Sequence, residues 1–408
     1  MILFSIIIIS FFFLLDAIFL ESFRRSVIKN GWSPYFYRIL WAIGIFMAAV
    51  AVYYMFDRTT NDIPSNTMKI ISIPFFIWYI PKLLIVPVML IKKIIYLITA
   101  LIKKIASYFQ KNKEIIEKHS ELDSLKRRKI LKAAGWGIAA APFIIVTDGY
   151  ARETYNFKRF NIDVFLKNLP KSQDGLTIVQ LSDIHSGSFF STKPIEEGFR
   201  IVREAKPDIL LITGDMVNFN PQELKMIYSE LERTKTLLGI YGIFGNHDHW
   251  MSPENHQILL KELKKAGIDM LVNENRVLKI NGDKFQLAGT DNSGSGQHFA
   301  NLSKTLHSLT PEYPVVLMMH DPKNWDEQIR RKLKIDLMLS GHTHGGQIAL
   351  DLFGSKLTPA RIFYKQYAGL YKDGDQYLYV NRGFGTTGPP IRVGVPPEIT
   401  VITLRSSS

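Results

Sequence analysis

Apolar residues fall along this chain in two regimes, long runs first and short runs later. Met1–Leu20 is apolar but for Ser5, Ser10 and Asp16, and Ile39–Phe56 is uncharged and continuous. Ile70–Ile91 carries one lysine, Lys82, and prolines at 74, 81 and 87. Each run approaches the ~20 residues with which a helix crosses the hydrocarbon of a bilayer. Met1–Leu20 lacks the basic start and small-residue cleavage site of a signal peptide, so it reads as a span. The prolines predict kinks in the third span. Ile94–Ile102 is too short to cross alone and is flanked by Lys92, Lys93, Lys103 and Lys104, so it reads as a helix lying on the membrane surface. Region 1–104 is therefore expected to be all-α, with about three transmembrane helices and a surface helix. A basic segment, 105–129, follows. The next apolar stretch, 130–146, comes directly after Lys126-Arg127-Arg128-Lys129. It reads either as a fourth transmembrane helix with a basic flank or as a twin-arginine-like export signal, unusually far from the N-terminus.

The second regime begins after a polar stretch, 147–160, expected to be a linker. Thr177–Leu181, Ile209–Thr213, Ile240–Phe244, Val315–Met319 and Leu337–Leu339 are apolar runs of strand length. Helical patterns stand between some of them, at Ile195–Ala205, Pro221–Arg233 and His256–Ala266. Lys284–Ala288, Gln376–Asn381 and Glu398–Leu404 look like strands without intervening helices, which suggests a second sheet or an antiparallel edge. The alternation predicts an α/β domain over 161–408.

Five short loops in this half concentrate potential metal ligands: Asp183-Ile184-His185, Gly214-Asp215, Gly245-Asn246-His247-Asp248, His320, and Gly341-His342-Thr343-His344. They hold five of the ten histidines in the chain, and four of the loops directly follow an apolar run. Asp183 and His185 share an i, i+2 spacing, as do His342 and His344, which on an extended strand would send both side chains to one side. Asp215 has two carboxylate oxygens with which to bridge two ions. Nitrogen and oxygen donors alone suit two divalent ions of Mn, Zn or Fe, and the chemistry suggested is water activated against a phosphorus ester.

Composition changes the picture in two places. There are no cysteines, which excludes a disulfide framework and any thiolate metal site. The net charge of +13 belongs to the flanks of the apolar runs: residues 92–132 carry twelve basic and four acidic side chains, residues 147–408 carry 31 and 29. A nucleic-acid groove would carry its charge on the site itself, so no nucleic-acid partner is expected. Positive loops stay inside. The expectation is a multi-pass protein of a bacterial inner or cell membrane, with 105–129 in the cytoplasm and the catalytic domain on the periplasmic or extracellular side.

The series D-x-H, GD, GNHD, H and GHxH resembles the calcineurin-like metallophosphoesterase superfamily. The resemblance implies two mixed β-sheets sandwiched between helices, a four-layer α/β fold. It implies one ion held by Asp183, His185, Asp215 and His344, a second held by Asp215, Asn246, His320 and His342, and attack by a hydroxide bridging the two. In that family the histidine of GNH is not a ligand, so His247 is expected to face the substrate and protonate the leaving oxygen, with Asp248 orienting it or shaping the turn. Members that dephosphorylate protein serine and threonine carry G-D-x-x-D-R-G; here Asn218 replaces the second aspartate and the arginine is absent, which weakens that reading. Gly341–Ile348 and Asn381–Pro397 resemble the membrane-associated branch, which includes transmembrane proteins with a metallophosphoesterase domain and exported bacterial phosphodiesterases. Asn381–Pro397 is a Gly/Pro-rich loop. Its Arg392 is either available to a substrate phosphate, beside Asn246 and His247, or a solvent-exposed loop arginine. Asp291 and Asp321 are candidate partners for imidazole N–H groups, and Trp250 and Trp325 are candidate pocket walls.

The expected function is a membrane-anchored, dinuclear-metal phosphodiesterase acting on a phospholipid or lipid-linked phosphate, with the bilayer itself as a partner. The alternatives are a UDP-2,3-diacylglucosamine-type pyrophosphatase, as some relatives are, and a non-catalytic metal-binding receptor or scaffold.

Overall fold

A computed structural model describes residues 2–29, 34–60, 66–109, 140–352 and 355–407. The chain divides into two compact units, Met1–Asp148 and Gly149–Ser408. The twin-arginine-like stretch, with Arg127 and Arg128, lies outside the described residues, as does most of the basic segment 105–129.

The N-terminal unit contains α1 (Ile2–Lys29), α2 (Pro34–Thr60) and α3 (Asn66–Phe109). They pack on a core of Leu15, Met47, Val50, Phe75, Tyr79 and Val86. Among the described residues, Pro34–Tyr53 and Ile70–Ala106 are long and apolar enough to cross a membrane. Pro74, Pro81 and Pro87 lie inside α3 without ending it. Its 44 residues span roughly 66 Å, about twice the hydrocarbon thickness. Ile94–Ile102, expected as a separate surface helix, is instead the continuation of α3, because no glycine, proline or cap interrupts the chain between Val88 and Phe109. Residues 91–106 are exposed throughout. Of the fourth apolar stretch, 140–146 is described and helical.

The three helices meet at one buried polar knot. Asp16 on α1 and Lys82 on α3 form an ion pair with both side chains buried. Trp78 Nε1 donates to Asp16 Oδ1 at 3.1 Å and the Tyr79 hydroxyl to Asp16 Oδ2 at 2.8 Å. On α2, Gly44 has no room for a side chain: a Cβ there would lie 2.8 Å from Asp16 Oδ2. The Lys82 ammonium also lies 3.4 Å from the centroid of the Trp78 ring. Lys82→Met leaves the carboxylate buried without its cation, and is expected to destabilise this unit by about 3–5 kcal/mol, with Asp16→Asn/Lys82→Met recovering much of the loss. Thermal unfolding of the purified full chain in detergent reads both; equal loss in the single and double variants would show that the pair is not coupled.

The C-terminal unit is built on two six-stranded mixed sheets. The first has the order β1 (Lys158–Leu166), β16 (Glu398–Ser406), β2 (Thr177–Leu181), β3 (Ile209–Thr213), β4 (Ile240–Ile243), β5 (Ile268–Met270). The second has the order β14 (Gly369–Asp373), β15 (Gln376–Val380), β11 (Leu337–Ser340), β10 (Val315–Met318), β7 (Asp283–Gly289), β6 (Glu274–Ile280). Strands β2 to β5 run parallel, as do β7, β10, β11 and β15, while antiparallel pairings join β16 to β2, β6 to β7 and β14 to β15. Two short hairpins, β8 (Ser293–Gly294) with β9 (Gln297–His298) and β12 (Leu350–Leu352) with β13 (Ser355–Leu357), stand apart from them.

Alternation within single strands builds the layers. In β3, Ile209 and Leu211 enter the core between the sheets with Leu287, Met318 and Leu339, whereas Leu210 and Ile212 face the opposite core. That opposite core is closed by the helices Lys193–Glu204 and Pro253–Lys265, and a third core, around Trp325 and Met338, covers the far side of the second sheet. Strands buried on both faces must be apolar throughout, which is why β2, β3, β10 and β11 read as continuous runs. The result is the expected α/β fold of two mixed sheets sandwiched between helical segments.

Two boundaries differ from expectation. Residues 149–160 are part of the catalytic fold rather than a linker: Gly149–Glu153 forms a π-helical turn, buried Thr154 donates to the Pro390 carbonyl at 3.0 Å, and β1 already starts at Lys158. The predicted helix Pro221–Arg233 breaks at Ile227 into a 3-10 turn, Pro221–Met226, and a short α-helix, Tyr228–Arg233.

Candidate metal centre

Strands β2, β3, β4, β10 and β11 deliver the five loops to one place, and hydrogen bonds between the loops fix them there. Asp183 N donates to Gly214 O at 2.9 Å and His185 N to Asp215 O at 3.0 Å. His342 N donates to both Asp183 oxygens, and His320 Nδ1 donates to Thr213 O at 2.7 Å across the two sheets. Gly214, with φ +93°, and Gly341 are required at their positions: a Cβ on Gly214 would lie 2.6 Å from His320 Nδ1, and one on Gly341 would lie 1.8 Å from Ser182 Oγ.

The backbone does not converge by strand alternation, as the i, i+2 spacings suggested. Asp183, His185, Asp215, His342 and His344 all adopt left-handed conformations, with φ between 44° and 66°. Such conformations are uncommon for residues with a side chain and concentrate at functional sites. They turn each side chain out of its strand and into a shared pocket.

Three groups of donors result, each with its atoms within 4.8 Å of one another: Asp183, His185 and His344; His185, Asp215 and His247; and Asp215, His320 and His342. Asp215 joins the groups, its Oδ2 lying 3.5 Å from His185 Nε2 and 3.3 Å from His320 Nε2. The Nε2 atoms of His185 and His344 face each other at 3.1 Å, a separation typical of two donors turned toward one ion. Asn246 Oδ1 is buried without a hydrogen-bond partner. A buried polar atom left unsatisfied costs about 1–3 kcal/mol, and a cation is a partner that removes this penalty. The donor set thus fits a pair of divalent ions.

The electrostatics point the same way. Burial, with the neighbouring histidines adding to it, pushes His185 down to about 3 and His342 down to about 4, and holds His344 well below the usual imidazole range. These three are neutral and ready to ligate at pH 7. His320 goes the other way: burial opposes its charge, but Asp215 and then Asp183 outweigh it and raise the imidazole to about 10. Burial lifts Asp183 to about 6, and Asp215 is held well below the carboxylate range because His320, His247 and His185 overcome its burial. The proton on His320 therefore occupies the place of a cation between two carboxylates. In metal-free protein its stabilising contribution is fully present below pH 6.5 and is lost as pH rises through about 10. Filling the centre at pH 7 is expected to expel about one proton from His320. Calorimetric titration with Mn²⁺ in buffers of different ionisation enthalpy measures it, and His320→Gln should abolish the release; release unchanged in that variant would place the proton elsewhere.

His247 packs 4.6 Å from the His185 ring, centroid to centroid, and 3.9 Å from the Trp250 ring. Its Nδ1 donates to the Asn218 carbonyl at 3.2 Å, and its Nε2 lies 3.4 Å from Thr387 Oγ1. Asp248 does not orient this ring. Its carboxylate accepts the N–H groups of Asp215, Met216, Val217 and Gly245 and so ties two of the loops together. Asp291 pairs with His249 at 2.6 Å, not with a residue of the donor groups, while Asp321 lies 3.7 Å from His342 Nε2. Trp250 is 46% exposed with its ring 3.9 Å from the His247 ring, whereas Trp325 is buried core.

Arg392 is corrected from a phosphate-facing or solvent-exposed arginine to a buried structural one. It is fully buried and donates to the carbonyls of Arg382, Gly383, Gly385 and Val395, bracing the loop that backs His344. Sequence reading also missed Asn218, Thr387 and Ser295, whose Oγ lies 3.4 Å from His342 Nε2. Of these only Asn218 carried a signal, as the position where the phosphatase aspartate is replaced.

Residues 1–153 match the family described as "Probable Calcineurin-like phosphoesterase, transmembrane domain", and residues 176–346 match "Calcineurin-like phosphoesterase". The chain is 31% identical over 296 residues to the "Uncharacterized metallophosphoesterase YkuE" of Bacillus subtilis (strain 168), covering 70% of this chain and 100% of that protein. It is 30% identical over 259 residues to the "Transmembrane protein with metallophosphoesterase domain" of Bos taurus, covering 60% of this chain and 56% of that protein. It is 31% identical over 229 residues to "Phosphodiesterase YaeI" of Escherichia coli (strain K12), covering 56% of this chain and 81% of that protein. On this site and these matches, the chain belongs to the calcineurin-like metallophosphoesterases, metal-dependent hydrolases of phosphoric esters, in the branch that joins this domain to a transmembrane domain.

Proposed function

We propose that this protein is a membrane-anchored phosphodiesterase with two divalent ions, acting on a phosphate ester in or near the bilayer. The observation that carries the reading is the placement of Asp215 Oδ2 between His185 and His320, one in each outer donor group. In this reading Asp183, His185, Asp215 and His344 hold one ion, and Asp215, Asn246, His320 and His342 hold the other. Nitrogen and oxygen donors without sulfur favour Mn, Zn or Fe. The ions, when bound, supply Lewis acidity toward the phosphoryl oxygen and a water of lowered pKa.

The protein's own groups do the rest. Asp215 Oδ1 accepts the His247 N–H at 2.8 Å, so the carboxylate that would hold both ions also fixes the turn that carries His247. The Asn218 carbonyl holds His247 Nδ1, and in this reading Nε2 meets the oxygen of the departing group and gives it a proton or neutralises its charge. Asn246 offers its amide oxygen to an ion and its amide N–H to a substrate oxygen. A transmembrane domain on the same chain favours a substrate at the membrane, and the basic segment 105–129 favours placement of the catalytic unit on the periplasmic or extracellular side.

The test is hydrolysis of bis-p-nitrophenyl phosphate by the purified full chain with added Mn²⁺, Zn²⁺ or Fe²⁺. Turnover that chelator abolishes and metal restores supports the reading. Absence of turnover with every ion would turn it toward the scaffold.

A further inference from the structure

One surface next to the candidate metal centre has no part in the chemistry above. Beyond the His342–Gly346 turn the chain makes an excursion through β13 and the short helix Ala360–Phe363. Three large apolar side chains stand out from it within seven residues: Leu357 is 61% exposed, Ile362 78% and Phe363 67%. Exposed apolar residues elsewhere in this unit, such as Leu237 and Ile258, are scattered singly, which is ordinary for a protein surface. A cluster of them marks an interaction site.

Charge says what the cluster fits. Between Asp351 and Asp373 the sequence holds four basic residues, Lys356, Arg361, Lys365 and Lys372, and no acidic one. Lys356, Arg361 and Lys365 are exposed and adjoin the apolar residues in sequence, with Lys365 Nζ 3.9 Å from Asp326 Oδ2. Arg361 Nη1 donates to the Lys356 carbonyl at 3.2 Å, which ties the two basic positions together. Exposed apolar residues interspersed with cations are the surface chemistry of a segment that lies in the interface of an anionic bilayer.

The excursion is also tied to the centre at both ends. Thr358 Oγ1 donates to Gly345 O at 2.8 Å and Thr343 Oγ1 donates to Tyr367 O at 2.6 Å. Tyr364, next to the apolar tip, lies 5.7 Å from the His342 ring, centroid to centroid. The tip is therefore tied to the turn that carries His342 and His344.

We propose that residues 356–365 form a lip that dips into the interface of a bilayer bearing anionic lipid and seats the site on the plane of the head groups, so that the ester hydrolysed is that of a lipid head group. The identity of the substrate rests on the phosphodiesterase reading; the contact with lipid does not.

The absence of cysteine makes the lip easy to label. Phe363→Cys carrying the fluorophore NBD, in the full chain reconstituted into phosphatidylglycerol vesicles, should be quenched by doxyl-labelled lipid and shielded from iodide. The same label at Leu237→Cys should show the reverse. Lys356→Glu/Arg361→Glu/Lys365→Glu, combined with the label, should lose the lipid quenching. The same charge changes should lower turnover of a vesicle-embedded phosphodiester by roughly tenfold or more, while turnover of bis-p-nitrophenyl phosphate stays unchanged. Equal iodide quenching at 363 and 237, with no lipid quenching at either, overturns the proposal, as does lipid quenching that survives charge reversal in full. If bis-p-nitrophenyl phosphate is not hydrolysed but the label at 363 is quenched by lipid, the catalytic reading fails and the lip stands. If it is hydrolysed and the label is not quenched, the lip fails alone.

Discussion

Asp215→Ala is expected to lower kcat/KM by roughly a thousandfold or more, since in the proposed reading it removes several kcal/mol of charge stabilisation from both ions at once. The geometry concentrates three roles in this side chain. Oδ2 lies between His185 and His320, Oδ1 holds the N–H of His247, and the charge is the largest influence holding the proton on His320. No other carboxylate belongs to two of the donor groups. Asp215→Asn separates the roles: it keeps an oxygen for the His247 N–H but loses the charge, and it should be nearly as inactive as alanine. Elemental analysis beside the kinetics reads the cause, with metal content expected to fall in both variants. A variant that kept about two ions per chain and a tenth of the activity would remove Asp215 from the bridging position.

His247→Ala is expected to fail differently. Its side chain lies against His185 and Trp250 but is anchored by a backbone carbonyl, and in the proposed mechanism it touches only the departing oxygen. Metal content should stay at the wild-type level while turnover falls by roughly 10²–10⁴-fold. The loss should be steeper for an alkyl phosphodiester, whose leaving group needs a proton, than for a p-nitrophenyl ester, whose leaving group departs as a stable anion. Equal losses on the two substrates would assign His247 to positioning rather than to proton delivery, and loss of metal would make it a ligand.

The parts of this molecule that were legible in the sequence are those where burial leaves a one-dimensional trace. Strands β2, β3, β10 and β11 are covered on both faces, so their apolar runs could be read directly and the loops after them located. Only 158–160 of strand β1 falls in the expected linker, and no apolar run marks the strand itself, because its first six positions are exposed or half-buried and therefore mixed in character. The two halves of α3 were separated on the strength of charge, although no residue between them ends a helix. At the site, side-chain identities sufficed to gather the donors but not to explain the gathering, because left-handed backbone leaves no pattern in residue type. The anchor of His247 is a carbonyl, which every residue has, so a search among side chains could not find it. Arg392 was read as a surface cation because arginine is rarely buried; its burial depends on four carbonyls of one folded loop that only the tertiary structure brings to it.

The left-handed backbone at Asp183, His185, Asp215, His342 and His344 carries a cost in stability. Glycine adopts this conformation without the penalty of about 1–2 kcal/mol that a side chain incurs. Glycine at any of the five positions would relieve that penalty and delete a donor, so the candidate site is held at the expense of the fold that carries it.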